Sequence, residues 1–133
     1  MNTLTKIAAI AAATIVLPAA ASAQSGHTAT GAERRALMDA VRPIAVRQFG
    51  GPIEFVVTEA RVYQGWAIVR ATPQRPGGGA LRGYNSDSGY DVDAVLRQTG
   101  YGWTVVRHAI GAGDVWYCGM GPRGLTPRCD GSY

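Results

Sequence analysis

Two stretches of the chain repeat one pattern, Gly-Trp-x-(Ile/Val)-Val-Arg, at residues 65–70 and again at 102–107. Each copy follows a β-rich stretch and a turn: residues 53–63 with Gln64-Gly65, and residues 90–98 with the turn at 99–102. Runs rich in Val, Ile, Thr and aromatics on either side of such turns specify hairpins. Two hairpins commit the chain to an antiparallel sheet, and two copies fall short of the roughly three units that a stacked repeat array needs. The two-residue period of a strand predicts Trp66, Ile68 and Arg70 on one face, and Trp103, Val105 and Arg107 likewise in the second copy. One face of this sheet is expected to pack under a helix, the other to stay partly open.

That helix precedes the hairpins. Thr30 and Glu33 fit a capping box, with the Thr hydroxyl accepting from a first-turn amide and the Glu reaching back. Leu37, Val41, Ile44, Ala45 and Phe49 recur at three and four residues to form an apolar face, while Glu33, Arg34, Arg35, Asp39, Arg42 and Arg47 lie mostly elsewhere. Pro43 removes one helical donor and predicts a kink or restart, and Gly50-Gly51-Pro52 ends a helix of about 17 residues. The expected fold is α+β: one N-terminal amphipathic helix on a four- to five-stranded antiparallel sheet, with a disulfide-closed C-terminal tail.

Residues 1–23 stand apart. Lys6, the uncharged apolar run 7–17 and the Ala21-Ser22-Ala23 ending form a secretory signal peptide. The run is too short to cross a hydrocarbon core as a helix, so no transmembrane anchor is expected. Gln24 follows the expected cleavage point, which offers no cysteine for lipid attachment, and no Arg-Arg pair precedes the apolar run. Residues 24–30 are small and polar and read as a flexible arm, leaving 31–133 as one domain. Cleavage places the protein in the periplasm or outside the cell.

Of 133 residues, 13 are Lys or Arg and 9 are acidic. The lone lysine leaves with the signal peptide, so every base of the mature chain except histidine is a guanidinium. The arginines are spread from Arg34 to Arg128 without a dense run, which argues against nucleic acid as a partner. Cys118 and Cys129 lie close together in a chain bound for an oxidising compartment and are expected to pair, a link that stabilises by about 3 kcal/mol in the chain-entropy model.

Candidate chemistry is thin. Asn85, Asp87, Asp91 and Asp93 gather oxygen ligands but lack the glycine and glutamate spacing of a calcium loop, so no metal is expected. Gly77-Gly78-Gly79 has no following Lys-Ser/Thr and reads as a flexible turn rather than a phosphate cradle. His108 could find an orienting carboxylate in Asp91, Asp93 or Asp114, yet no Ser or Cys sits as a nucleophile. Glu54 and Glu59, five apart on one strand, should face opposite sides. Trp66, Trp103, Trp116 and Tyr117 are aromatics near turns. The expected ligand or partner contact gathers Arg70, Arg75, Arg82, Tyr84, Arg107, His108 and Trp116 around the long loop 73–89, where guanidinium forks beside rings suit an anionic or aromatic partner. No cofactor and no catalytic residue is expected.

The order helix, hairpin, hairpin resembles the architecture of cystatin-like and nuclear-transport-factor-like folds. The inhibitory Gln-x-Val-x-Gly tip of the cystatins is absent, since the first hairpin tip reads Val62-Tyr63-Gln64-Gly65-Trp66. The blocks 51–57, 73–78 and 103–106 with 109–111 also resemble a group of small exported bacterial proteins of unassigned function. These features point to a small exported binding or accessory protein, more an interaction module than an enzyme. Its partner is expected to be an envelope protein or an anionic small ligand, and its state a monomer or homodimer. The alternative implied by the nuclear-transport-factor-like resemblance is a small-molecule binder or enzyme whose pocket between helix and sheet uses His108 and an Asp.

Overall fold

A computed structural model describes residues 26–83, 89–100 and 102–129. The signal segment, Tyr84, Asn85 and Asp87 lie outside these residues. The elements are β1 (His27–Thr28), α1 (Gly31–Phe49), β2 (Glu54–Tyr63), β3 (Trp66–Gln74), β4 (Val92–Thr99) and β5 (Gly102–Ile110), followed by a 3-10 turn at Pro127–Cys129. The fold is α+β, one helix on a five-stranded sheet in the order β1-β2-β3-β4-β5 with every neighbouring pair antiparallel. No helix among the described residues is long and apolar enough to cross a membrane.

The helix begins and ends by means other than those its sequence suggests. Thr30 is extended and makes no side-chain cap. Glu33 instead takes Nε2 of His27 at 2.7 Å, because β1 pairs with Val62 and Arg61 and brings His27 beside the first turn. The arm expected over 24–30 is therefore held at its C-terminal end. Ala29 is fully buried, and its amide donates to the Ala60 carbonyl. Pro43 causes no restart, and α1 runs unbroken through it with the ring exposed, where water can reach the carbonyl that loses its donor. At the C-terminus Gly50 takes a φ of 68° and donates to the Val46 carbonyl. The Arg75 guanidinium then donates to the carbonyls of Phe49, Gly50 and Pro52, satisfying acceptors that the last turn leaves open.

The apolar stripe of α1 buries Leu37, Val41 and Ala45 against Ala67, Val69, Ala94 and Leu96, all fully excluded from solvent. Leu81 of the long loop joins this layer. That loop starts in order: Gly78 donates to the Arg75 carbonyl, Arg75 bridges Gly79, and the Gly77 amide donates to Glu54. A second cluster forms on the opposite face, where Ile68 and Val95 pack with Tyr117 and Leu125 of the C-terminal segment. Cys118 and Cys129 close that segment with their Cα atoms 5.5 Å apart. The face expected to stay open is thus covered over its centre.

Two bulges reset the strand periodicity. Thr58 has no partner between the pairs Val57–Ala71 and Glu59–Arg70, and Val106 has none between Val95–Arg107 and Leu96–Val105. An extra residue shifts everything beyond it to the other face. Trp103 and Val105 consequently pack on the α1 side, whereas Arg107 lies over Trp116 on the opposite side. The expected shared face of Trp103, Val105 and Arg107 does not form. The same effect puts Glu54 and Glu59 on one side rather than two.

Candidate functional site

Of the seven residues expected to share a contact site, three serve the C-terminal segment. Arg70 lies 5.5 Å from the Tyr117 ring centroid, and Arg107 lies 5.1 Å from that of Trp116. Trp116 and Tyr117 meet edge to face at 5.8 Å. Two further arginines that the sequence reading passed over complete the arrangement. Arg97 lies 5.2 Å above Trp66, which itself packs in the cluster under the segment, and Arg61 Nε donates to the Gly124 carbonyl. Strands β2, β3, β4 and β5 thus each contribute one arginine. A guanidinium stacks flat on a ring and still donates at its edge, so it suits this work better than an ammonium. Among the described residues the buried indole N–H of Trp116 has no acceptor.

Beneath this clamp Arg70 Nε donates to Asp93 Oδ1 at 3.1 Å, and the Asp93 side chain is 4% exposed. Burial would lower the pKa of the Arg70 guanidinium. The hydrogen bond and charge of Asp93, helped by Tyr117 and Glu59, more than offset that, and the pKa rises above its ordinary value. Asp91 accepts from the Thr72 hydroxyl at 2.7 Å. Both aspartates of the expected oxygen cluster that are described therefore have protein partners.

The remaining expected residues are dispersed. Arg75 clamps the end of α1, Arg82 is exposed in the loop, Tyr84 lies outside the described residues, and His108 is exposed on the α1 side of β5. Arg70 and Arg107 stand on the other face from His108, so the structure does not bring the seven together.

A single helix laid over five strands leaves a groove on each flank. The groove toward β2 has a volume of about 460 Å³ and is lined by Arg34, Arg35, Met38, Arg42, Glu54 and Phe55 among others. Part of its charge is answered within it: Arg42 holds Asp39 at 2.6 Å and lies 5.9 Å from the Phe55 ring centroid. The groove toward β5, about 420 Å³, is lined by Ala40, Pro43, Ile44 and Arg47 of α1 and by Trp103, Thr104, Val105 and His108 of β5. Its floor is apolar and its ionisable lining groups, Arg47 and His108, are both bases. Among the described residues no carboxylate lines it, and none there orients His108. Sequence reasoning reached His108 but missed Pro43, Ile44, Arg47 and Thr104. The exposed Pro43, in a helix position where proline costs stability, was the available signal. No protein-family model, curated protein or solved structure matches the chain.

Proposed function

We propose that the protein is an exported, non-enzymatic binding module of the bacterial envelope that takes its partner on the β5 flank of α1. The observation that supports this is a filled interior beside an open flank. Leu37, Val41, Ala45, Val69, Ala94 and Leu96 occupy the space where a pocket between helix and sheet would lie, and His108 faces an open groove without a carboxylate. General acid–base or nucleophilic work needs a positioned partner group, and the described residues of this groove supply none. Its mixture of aliphatic floor, one indole and two bases suits recognition.

The test is site-specific photocrosslinking in cells, with a benzophenone amino acid at the exposed Pro43 in the groove and, as control, at Thr72 on the opposite face. Adducts at Pro43 and none at Thr72 are expected. Absence of adducts at Pro43, together with a ligand-induced melting shift that His108→Ala abolishes, would overturn the reading in favour of a small-molecule site.

A further inference from the structure

Strand β5 is an outermost strand of the sheet, and its outer side carries no further strand among the described residues. An outer strand presents backbone N–H and C=O groups at fixed spacing, and only another amide backbone matches that spacing. The other border is guarded. There β1 pairs with Arg61 and Val62, the uncovered part of β2 carries Glu54 and Glu59, and the bulge at Thr58 breaks its regularity. Charged side chains and bulges of this kind discourage strand addition.

Among the described residues nothing comparable guards β5 from Gly102 to Val105. Its residues contain no acid, its bulge comes later at Val106, and α1 stands beside it with Pro43, Ile44 and Arg47. A strand added here would lie about 4.8 Å from β5, sending alternate side chains toward α1 and solvent. Those on the α1 side would meet Ile44, Val105 and the half-buried Trp103. Carboxylates two residues before and after these, on the same face, would meet Arg47 and His108, and among the described residues Arg47 makes no ion pair.

From these observations we infer that the α1–β5 groove binds an extended peptide segment of a partner protein by strand addition, selecting apolar side chains flanked by carboxylates. The inference rests on the groove-binding reading above and names the partner's chemistry. A second copy of this chain fits less well. Antiparallel self-pairing of β5 would set Arg47, Arg107 and His108 of two molecules near one another, with no acid on β5 to answer them.

The chain from Gln24 onward is titrated by anisotropy against a fluorescein-labelled heptapeptide, Glu-Ser-Val-Ser-Val-Ser-Glu, which puts both valines and both glutamates on one face of a strand, and against its counterpart with lysine for each glutamate. The glutamate peptide is expected to bind at least about tenfold more tightly. Arg47→Glu should remove that preference while Arg47→Lys keeps it, and amide exchange should slow over residues 102–105 only when the glutamate peptide is present. Equal binding of both peptides, or binding indifferent to Arg47→Glu, would overturn the inference. Protection of 102–105 without peptide, rising with protein concentration alongside a dimer in sedimentation, would overturn it in favour of self-association. Crosslinked adducts at Pro43 with no binding of the glutamate peptide would sink the peptide chemistry and leave the groove reading standing. Absence of both would sink the two together.

Discussion

A guanidinium can lie over a ring and still donate at its edge, as an ammonium on a flexible stem cannot, and Arg70, Arg97 and Arg107 each stand over an aromatic ring at the C-terminal segment. The arginine content that could signal anion recognition is spent in good part on holding the protein's own C-terminal segment. Arg107→Lys preserves charge and removes stacking. It should lower stability by about 0.5–1 kcal/mol and change Trp116 fluorescence. An unchanged urea midpoint and emission spectrum would show that charge alone suffices. Arg70 carries more, because Asp93 beneath it is 3% exposed. Removing one partner of a buried pair strands the other charge, so Arg70→Ala should cost about 3 kcal/mol in urea unfolding, whereas replacing both Arg70 and Asp93 by apolar residues should recover much of it. The pH dependence follows from the raised Arg70 pKa. A base whose folded pKa is raised contributes its stability in full below its unfolded pKa and loses it only as pH rises through the folded value. The gap between wild type and Arg70→Ala should therefore stay level from neutral pH to about pH 10, as read from urea midpoints.

Secondary structure was largely legible at the level of elements, and side-chain facing was not. The strands expected at 53–63, 66–72, 90–98 and 103–110 correspond to β2 through β5 with ends moved by one or two residues, since β-branched runs and Gly turns carry that information locally. The bulges at Thr58 and Val106 left no trace, because Thr and Val are ordinary strand residues and a bulge is decided by what the neighbouring strands must bury. The two Gly-Trp copies hence look equivalent in sequence, yet Trp66 packs under the C-terminal segment and Trp103 on the α1 side. The candidate site suffered the same way. Face assignments carried past Val106 grouped Arg107 with the wrong strand neighbours, and contacts between distant segments, such as Arg75 on the end of α1, have no local signature. Arg75 also yields a prediction. Its guanidinium serves three carbonyls of the helix end and the following turn, so Arg75→Ala should cost about 1–2 kcal/mol. Amide exchange should accelerate in the last turn of α1 while its first turns stay protected. Uniform acceleration along the helix would instead mean that Arg75 supports the whole fold.

Three layers make up the described molecule, α1 above the sheet and the C-terminal segment below it, and β4 is where they meet. Val92 through Leu96 are buried on both sides, with Ala94 and Leu96 facing α1 and Val95 facing Leu125. The upper layer is a helix with its own hydrogen bonds. The lower one consists of turns and a single 3-10 turn, so its order comes from side-chain contacts and the Cys118–Cys129 link. In the chain-entropy model, opening that link frees a short loop worth about 3 kcal/mol. It also makes the ring-on-guanidinium contacts bear the ordering cost of the segment alone. Cys118→Ser with Cys129→Ser should consequently uncover Ile68 and Val95 without unfolding α1. Binding of a hydrophobic dye should rise, the emission of Trp66 and Trp116 should move to the red, and the helical signal in far-ultraviolet circular dichroism should persist. Adding Arg107→Ala to this double variant should cost less than it does in the disulfide-bonded protein, because the segment it clamps has already left the sheet. If the two changes were strictly additive, the segment would still be docked without its link, and the arginines rather than the disulfide would be what holds the lower layer.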